Sequence, residues 1–333
     1  MARTSPVSEI LVPLDGLEAA DRAIAVAAQI ACRTGARLHL VSVLRPAANA
    51  GAMIPGMITY PADLDAITRT SLRAHIETRA EDVELVYGVP AIYELLDGPE
   101  SVADQLVAYA ARRAIDLIVM RSHGRSAIGS LCFGSVGAAV IERSGLPCLL
   151  LRERHGRVVP STRPSWGFSR ILVPLDGTPE SEAGIEQAMA VATQGLTQIR
   201  LLVVVPDRWV PAPGIGLDAP DTAELATARA YVEELAHRLE IRGYSAMGFT
   251  VARASISAAI ADCVDAQRID LVSISSHHRS EGDRLIFGSV IDALVHETSV
   301  PVLARRTTRV EVIDHADAAC TVPVRDPAVA GTV

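Results

Sequence analysis

The segment RSHGRSAIGSLCFGSV, residues 121 to 136, has the residue types needed to hold a phosphate without a lysine. Gly124 is followed at the tenth position by Gly134 and then by Ser135, where a helix is predicted to begin. A helix start leaves N–H groups unpaired and carries the positive end of the helix dipole, so the amides of Gly134, Ser135 and Val136 can bind an anion. Glycine at 134 lets the anion approach the backbone, and the Ser135 hydroxyl can donate as well. A plainer reading stands beside this one: an elbow between strand and helix, in which Gly134 avoids a clash and Ser135 caps the helix. A second group, the carboxylate of Asp15 in ILVPLDG, follows a strand, where it either faces a ligand or accepts N–H bonds within its own turn.

Other reactive residue types are sparse. His123 is the one candidate for a base beside a phosphate, and Arg125 and Arg279 could screen phosphate charge. His277 and His278 are adjacent, but no Cys, Asp or His stands at a spacing that would complete a metal site with them. All 31 basic residues are arginine. The lack of lysine excludes a Walker-type phosphate loop and imine chemistry. A formal charge of -8 without a long basic run argues against nucleic acid or a membrane surface as partner. The five cysteines form no C-x-x-C pair, and no apolar run reaches bilayer length, which together predict a reduced cytoplasmic protein.

The chain is duplicated. ILVPLDG occurs at 10–16 and 171–177, IDLIVMRSHGRS at 115–126 matches IDLVSISSHHRS at 269–280, and FGSV recurs at 133–136 and 287–290. The offset falls from 161 to 154, so the second copy lacks seven residues, placed most simply opposite GVPAIYELLDGPE. In the first copy, apolar runs alternate with helical periods: strands at 10–14, 37–44, 82–87, 115–120 and 147–151, and helices at 17–34, 62–80, 100–113 and 135–144. Ser101 and Ser255 are predicted helix caps. This alternation predicts an α/β chain of two tandem doubly wound domains, each an open five-stranded parallel sheet in the order 3-2-1-4-5 with helices on both faces. The expected divisions are 1–155, a linker at 156–168, 169–306, and a partly disordered tail at 307–333. The long small-residue segments at 45–62 and 206–220 read as lids or connectors. The fifth strands, CLLLR and VLARR, are exposed edges in this order, so the two halves should pair pseudo-symmetrically, with a further homodimer possible.

In such a sheet, ligands bind beyond the carboxyl ends of the strands where the connections reverse, here between strands one and four. Both repeated motifs converge on that point. With ILVPLDG opening each half and G-x9-G-S closing the loop, the chain from about residue 8 to 306 resembles a tandem universal stress protein. The resemblance implies an ATP-binding, usually dimeric stress-response protein with little or no catalysis. It implies that Pro13, Asp15, Val43, Arg121, Gly124, Gly134, Ser135 and Val136 hold the nucleotide, with Mg2+ on its phosphates and Asp15 near them and the ribose. Asp176, Val204, Gly288 and Ser289 are the weaker second-half counterparts. The family's first loop glycine is replaced by Arg121 and Ser275, and the second, Gly124, by His278 in the second half. ATP is therefore expected mainly in the first half, regulating contact with a protein partner of unknown identity. The alternatives are a ligand-free interaction module with both pockets degenerate, and a weak ATP hydrolase.

Overall fold

The computed structural model describes residues 7–44, 61–122, 134–154, 157–158, 167–206, 222–276, 290, 291, 293, 294, 298 and 300–306. The first half runs β1 (Glu9–Leu14), α1 (Glu18–Thr34), β2 (Arg37–Val43), α2 (Pro61–Tyr87), β3 (Ala91–Leu96), α3 (Val102–Arg112), β4 (Leu117–Ser122), α4 (Gly134–Ser144) and β5 (Cys148–Arg154). After the two-residue β6 (Arg157–Val158), the second half repeats the order with β7 (Arg170–Leu175), α5 (Pro179–Val191), β8 (Gln198–Pro206), α6 (Thr222–Ile241), β9 (Ser245–Arg253), α7 (Ile256–Ala266), β10 (Leu271–Ser276) and β11 (Val302–Arg306). Within each half the sheet is parallel and ordered 3-2-1-4-5, as the β–α alternation predicts.

The two fifth strands are not free edges. β5 and β11 pair antiparallel, Leu150 opposite Val302 and Leu149 opposite Leu303, so the halves share one sheet ordered β3-β2-β1-β4-β5-β11-β10-β7-β8-β9. Arg305 Nε donates to the Gly145 carbonyl across the join at 2.9 Å, and Arg306 lies 3.4 Å from Glu142. Strands buried on both faces must be apolar throughout, which is why LIVM and CLLL read as continuous runs. One face is covered by α1, α2, α5 and α6, the other by α3, α4 and α7.

The structure corrects two expectations. Residues 82–87 are not the third strand; they end α2, and the strand is Ala91–Leu96. The missing seven residues also fall elsewhere: α2 has 27 residues and α6 has 20, while β3 and β9 begin 154 apart. Seven residues are nearly two turns of 3.6, so both helices still present an i, i+4, i+7 set to the sheet. The set is Ile76, Ala80 and Val83 in α2, and Val232, Ala236 and Leu239 in α6. Both predicted caps are present: Ser101 Oγ accepts the Asp104 N–H at 3.2 Å, and Ser255 Oγ accepts that of Ala258 at 3.4 Å.

Candidate functional site

The first and fourth strands are fastened at one end and part at the other. At their amino ends, Asp116 accepts the Ser8 N–H at 2.8 Å, the Ser8 hydroxyl at 2.7 Å and the Glu9 N–H at 3.0 Å. Asp270 repeats the clamp on Ser169 and Arg170, at 2.8 and 3.0 Å. Burial pushes the Asp270 carboxyl up, and the two N–H donors pull against it. Toward the carboxyl ends the strands separate: β1 pairs with β4 at two positions, against six with β2. β7 and β10 also pair at two positions, so each half has a crevice where the connections reverse. The clamp lies in the repeated IDL motif, which sequence reasoning used only as a strand marker. The Asp116→Ala variant is expected to lose about 1–3 kcal/mol of stability, because three hydrogen bonds to one carboxylate are lost. Denaturant unfolding of this variant beside Asp270→Ala measures it, and parental stability in both would remove the clamp's role.

Asp15 stands at the mouth of the first crevice, exposed, with its Oδ1 accepting the Leu17 N–H at 3.0 Å. Gly16 follows at φ 79°, a conformation that glycine adopts without strain. Asp176 has the same place in the second half, where its turn adds a side-chain bond. Its Oδ1 accepts the Thr178 N–H at 3.0 Å and the Thr178 hydroxyl at 2.6 Å. Pro13 is half-buried in β1, and Val43, the last residue of β2, packs half-buried against the core beneath α3 and α4. Val204 is the half-buried counterpart in β8.

Arg121 lies near the end of β4, half-buried and opposite Leu151. Strand alternation places it with Leu117 and Val119 on the face covered by α1. Its counterpart Ser275 is buried. Gly134 and Ser135 open α4, as predicted, and Val136 packs half-buried on the core. The topology thus brings Pro13, Asp15, Val43, Arg121 and the start of α4 to the carboxyl edge of one sheet. Gly124, Gly288, Ser289, His123, Arg125, His277, His278 and Arg279 lie outside the described residues, as do the proposed lids except for their ends.

The two mouths differ in cover. A Cβ on Gly16 would come within 2.7 Å of Leu72 Cδ2, whereas one on Gly177 would meet none of the described residues within 4 Å. At the opposite end of the first half, His39 is buried between Glu9, 2.6 Å from Nε2, and the Tyr109 hydroxyl, 2.8 Å from Nδ1. In the second half Arg200 takes that place and is held by Gln198 and Gln267. Cys148 is inert by the same logic of burial, its thiol pushed up to about 12.

Two doubly wound α/β halves, whose first and fourth strands part where the connections reverse, define an open α/β fold rather than a barrel or sandwich. The universal stress protein family model matches residues 7–152 and 167–306, and the chain belongs to that family. A universal stress protein of Thermus aquaticus is 36% identical over 143 residues, 43% of this chain and 97% of its own. One from Mycolicibacterium smegmatis is 24% identical over 309 residues, 92% of this chain and 99% of its own. The crystal structure of a universal stress protein from Archaeoglobus fulgidus covers 90% of this chain and 97% of its own with a TM-score of 0.63 at 16% identity, a likeness of fold. No described helix is long and apolar enough to cross a membrane.

Proposed function

We propose that the protein is a non-enzymatic, adenine-nucleotide-binding regulator of the stress response, and that its first half holds the nucleotide. What supports this reading is the parting of β1 from β4, with Asp15 following β1 in the chain and α4 following β4. The residues fit a triphosphate in kind: the first turn of an 11-residue helix offers backbone donors, and an exposed carboxylate follows β1. Mg2+ would arrive with the phosphates, since no cluster of three metal-ligating side chains occurs among the described residues. Asp15, Val43, Gly134, Ser135 and Val136 would hold the ligand, with Pro13, Arg121 and Gly124 shaping the cradle. In the second half the Thr178 bonds occupy Asp176, and Ser275 and His278 stand where the family has glycines.

Calorimetric titration of ATP with magnesium tests this on the full chain, Asp15→Ala and Asp176→Ala. The parent and Asp176→Ala are expected to bind alike, and Asp15→Ala at least about tenfold more weakly, the scale of one lost charge-assisted contact. Equal binding by Asp15→Ala would overturn the site. Binding by none of the three would favour a ligand-free interaction module, a reading that the Leu72 side chain over Gly16 also supports.

A further inference from the structure

The joined sheet ends at two edge strands, β3 and β9, and the two edges are built differently. In the first half, Glu94 of β3 is paired with Arg112 at 3.2 Å and with Arg113 at 3.0 Å, both at the end of α3. The two guanidinium groups lie over the buried Tyr109 ring, 5.3 and 5.7 Å from its centre, which holds them at the edge. Pro90, which has no N–H to offer, precedes the strand. Charge and proline at an edge discourage a further strand from pairing there.

The second half lacks each of these. Phe249 stands opposite Leu202 in β8, the place that Glu94 holds opposite Val41 in β2. The helix caps Ser101 and Ser255 align α3 with α7, so Ala266 and Gln267 stand where the first half has Arg112 and Arg113. Tyr244, not proline, precedes β9. β9 is also longer, paired with its inner neighbour at nine positions against six for β3. The seven residues from Ala246 to Ala252 include no charge and no proline, and among the described residues β9 pairs with β8 alone. An uncharged stretch of that length on an open edge invites another strand. Beside it, Met247 is 55% exposed and Ile256, at the start of α7, is 41% exposed.

We infer that β9 is an interface between two copies of this chain, pairing antiparallel with itself across a two-fold axis at Phe249 and continuing the sheet from one copy into the next. The strand is complementary to itself in that register. With each member of a pair taken from a different copy, Met247 meets Val251, Ala246 meets Ala252, Gly248 meets Thr250, and Arg253 meets Ser245. No two like charges are opposed, and Arg253 has Asp262 of its own chain at 4.0 Å. A formal charge of -8 makes two copies repel over most of their surface, so an uncharged strip is where they can approach. Because β3 is guarded and β9 is not, a two-fold contact uses up the open edge, and assembly closes at two copies instead of growing into a fibre. The pairing does not depend on what occupies the crevice.

Sedimentation velocity of the full chain over a dilution series tests it, with hydrogen exchange to locate the contact. The parent is expected to show a species of twice the chain mass, nothing larger, and amide protection in β9 that rises with concentration while that in β3 stays constant. Phe249→Glu, Ala266→Arg and Gln267→Arg combined transplant the first-half guard and should give a monomer. Met247→Lys changes only an exposed side chain, so it tests the edge even if the threefold variant does not fold. It is expected to weaken the dimer by about tenfold or more, since its ammonium would be set against Val251 of the other copy. A monomeric parent, a Met247→Lys dimer of parental strength, or protection that rises in β3 instead of β9 would overturn the proposal.

Discussion

Leu303→Asp is expected to lower the stability of the whole chain by about 4 kcal/mol or more, among the largest effects that a single substitution produces. Leu303 is fully buried in β11 opposite Leu149, which is equally buried, where the halves share backbone hydrogen bonds. A carboxylate there has neither water nor a cation to receive it, and the cost of burying an unpaired charge far exceeds the lost apolar contact. For a chain of this size, 1 kcal/mol corresponds to roughly 2–4 °C, so the melting temperature should fall by about 8–16 °C. The parent should melt in one calorimetric transition, because one sheet runs through both halves, and the variant in two. Leu303→Ala, which removes packing without adding charge, should stay at one transition. A parental melting curve for Leu303→Asp would show that the strands do not meet.

The second large effect is expected at Gly248. This glycine lies in the edge strand β9 opposite Leu201, the position that Tyr93 holds opposite Leu40 in β3. A Cβ at Gly248 would lie 2.5 Å from the Val232 carbonyl oxygen, 2.6 Å from its carbon and 2.8 Å from its Cβ. Two of those three atoms are helix backbone, so α6 as a whole would have to lift from the sheet. Gly248→Ala is therefore expected to lose roughly 1–3 kcal/mol, outweighing the 0.5–1 kcal/mol that alanine normally gains over glycine inside a strand. Thermal unfolding measures the difference, and a variant more stable than the parent would mean that α6 has room. The corresponding change in the first half, Tyr93→Ala, opens space instead and breaks the bond to Glu77.

The contrast between Tyr93 and Gly248 also shows where the sequence stopped being legible. The repeat, the order of strands and the join of the fifth strands were readable because buried parallel strands need unbroken apolar runs, which LIVM and CLLL supply. The third strand was not. EDVELVY looks like a strand because Leu85 and Val86 follow Val83, yet they are 85% and 67% exposed at the end of a helix that buries only one side. AIYELL hides between Gly-Val-Pro and Asp-Gly-Pro. A usable signal was present: Gly88 at φ 64° donates its N–H to the Glu84 carbonyl, the left-handed helix stop that a glycine followed two residues later by proline announces. Of the candidate site, the Asp15 turn and the start of α4 were legible as local structure, since both are turn chemistry written locally. Asp116 and His39 were not, because their partners stand 30 to 108 residues away, beyond any local pattern.

The join of β5 with β11 has one further outcome. Two copies that met this way as separate chains would come apart on dilution, whereas a tethered pair assembles in a first-order step at any concentration. Freed from keeping both members alike, one member can drift in its loops while still serving as scaffold for the other. The different turns at Asp15 and Asp176, and the different edges at Glu94 and Phe249, are what such a division of labour leaves behind.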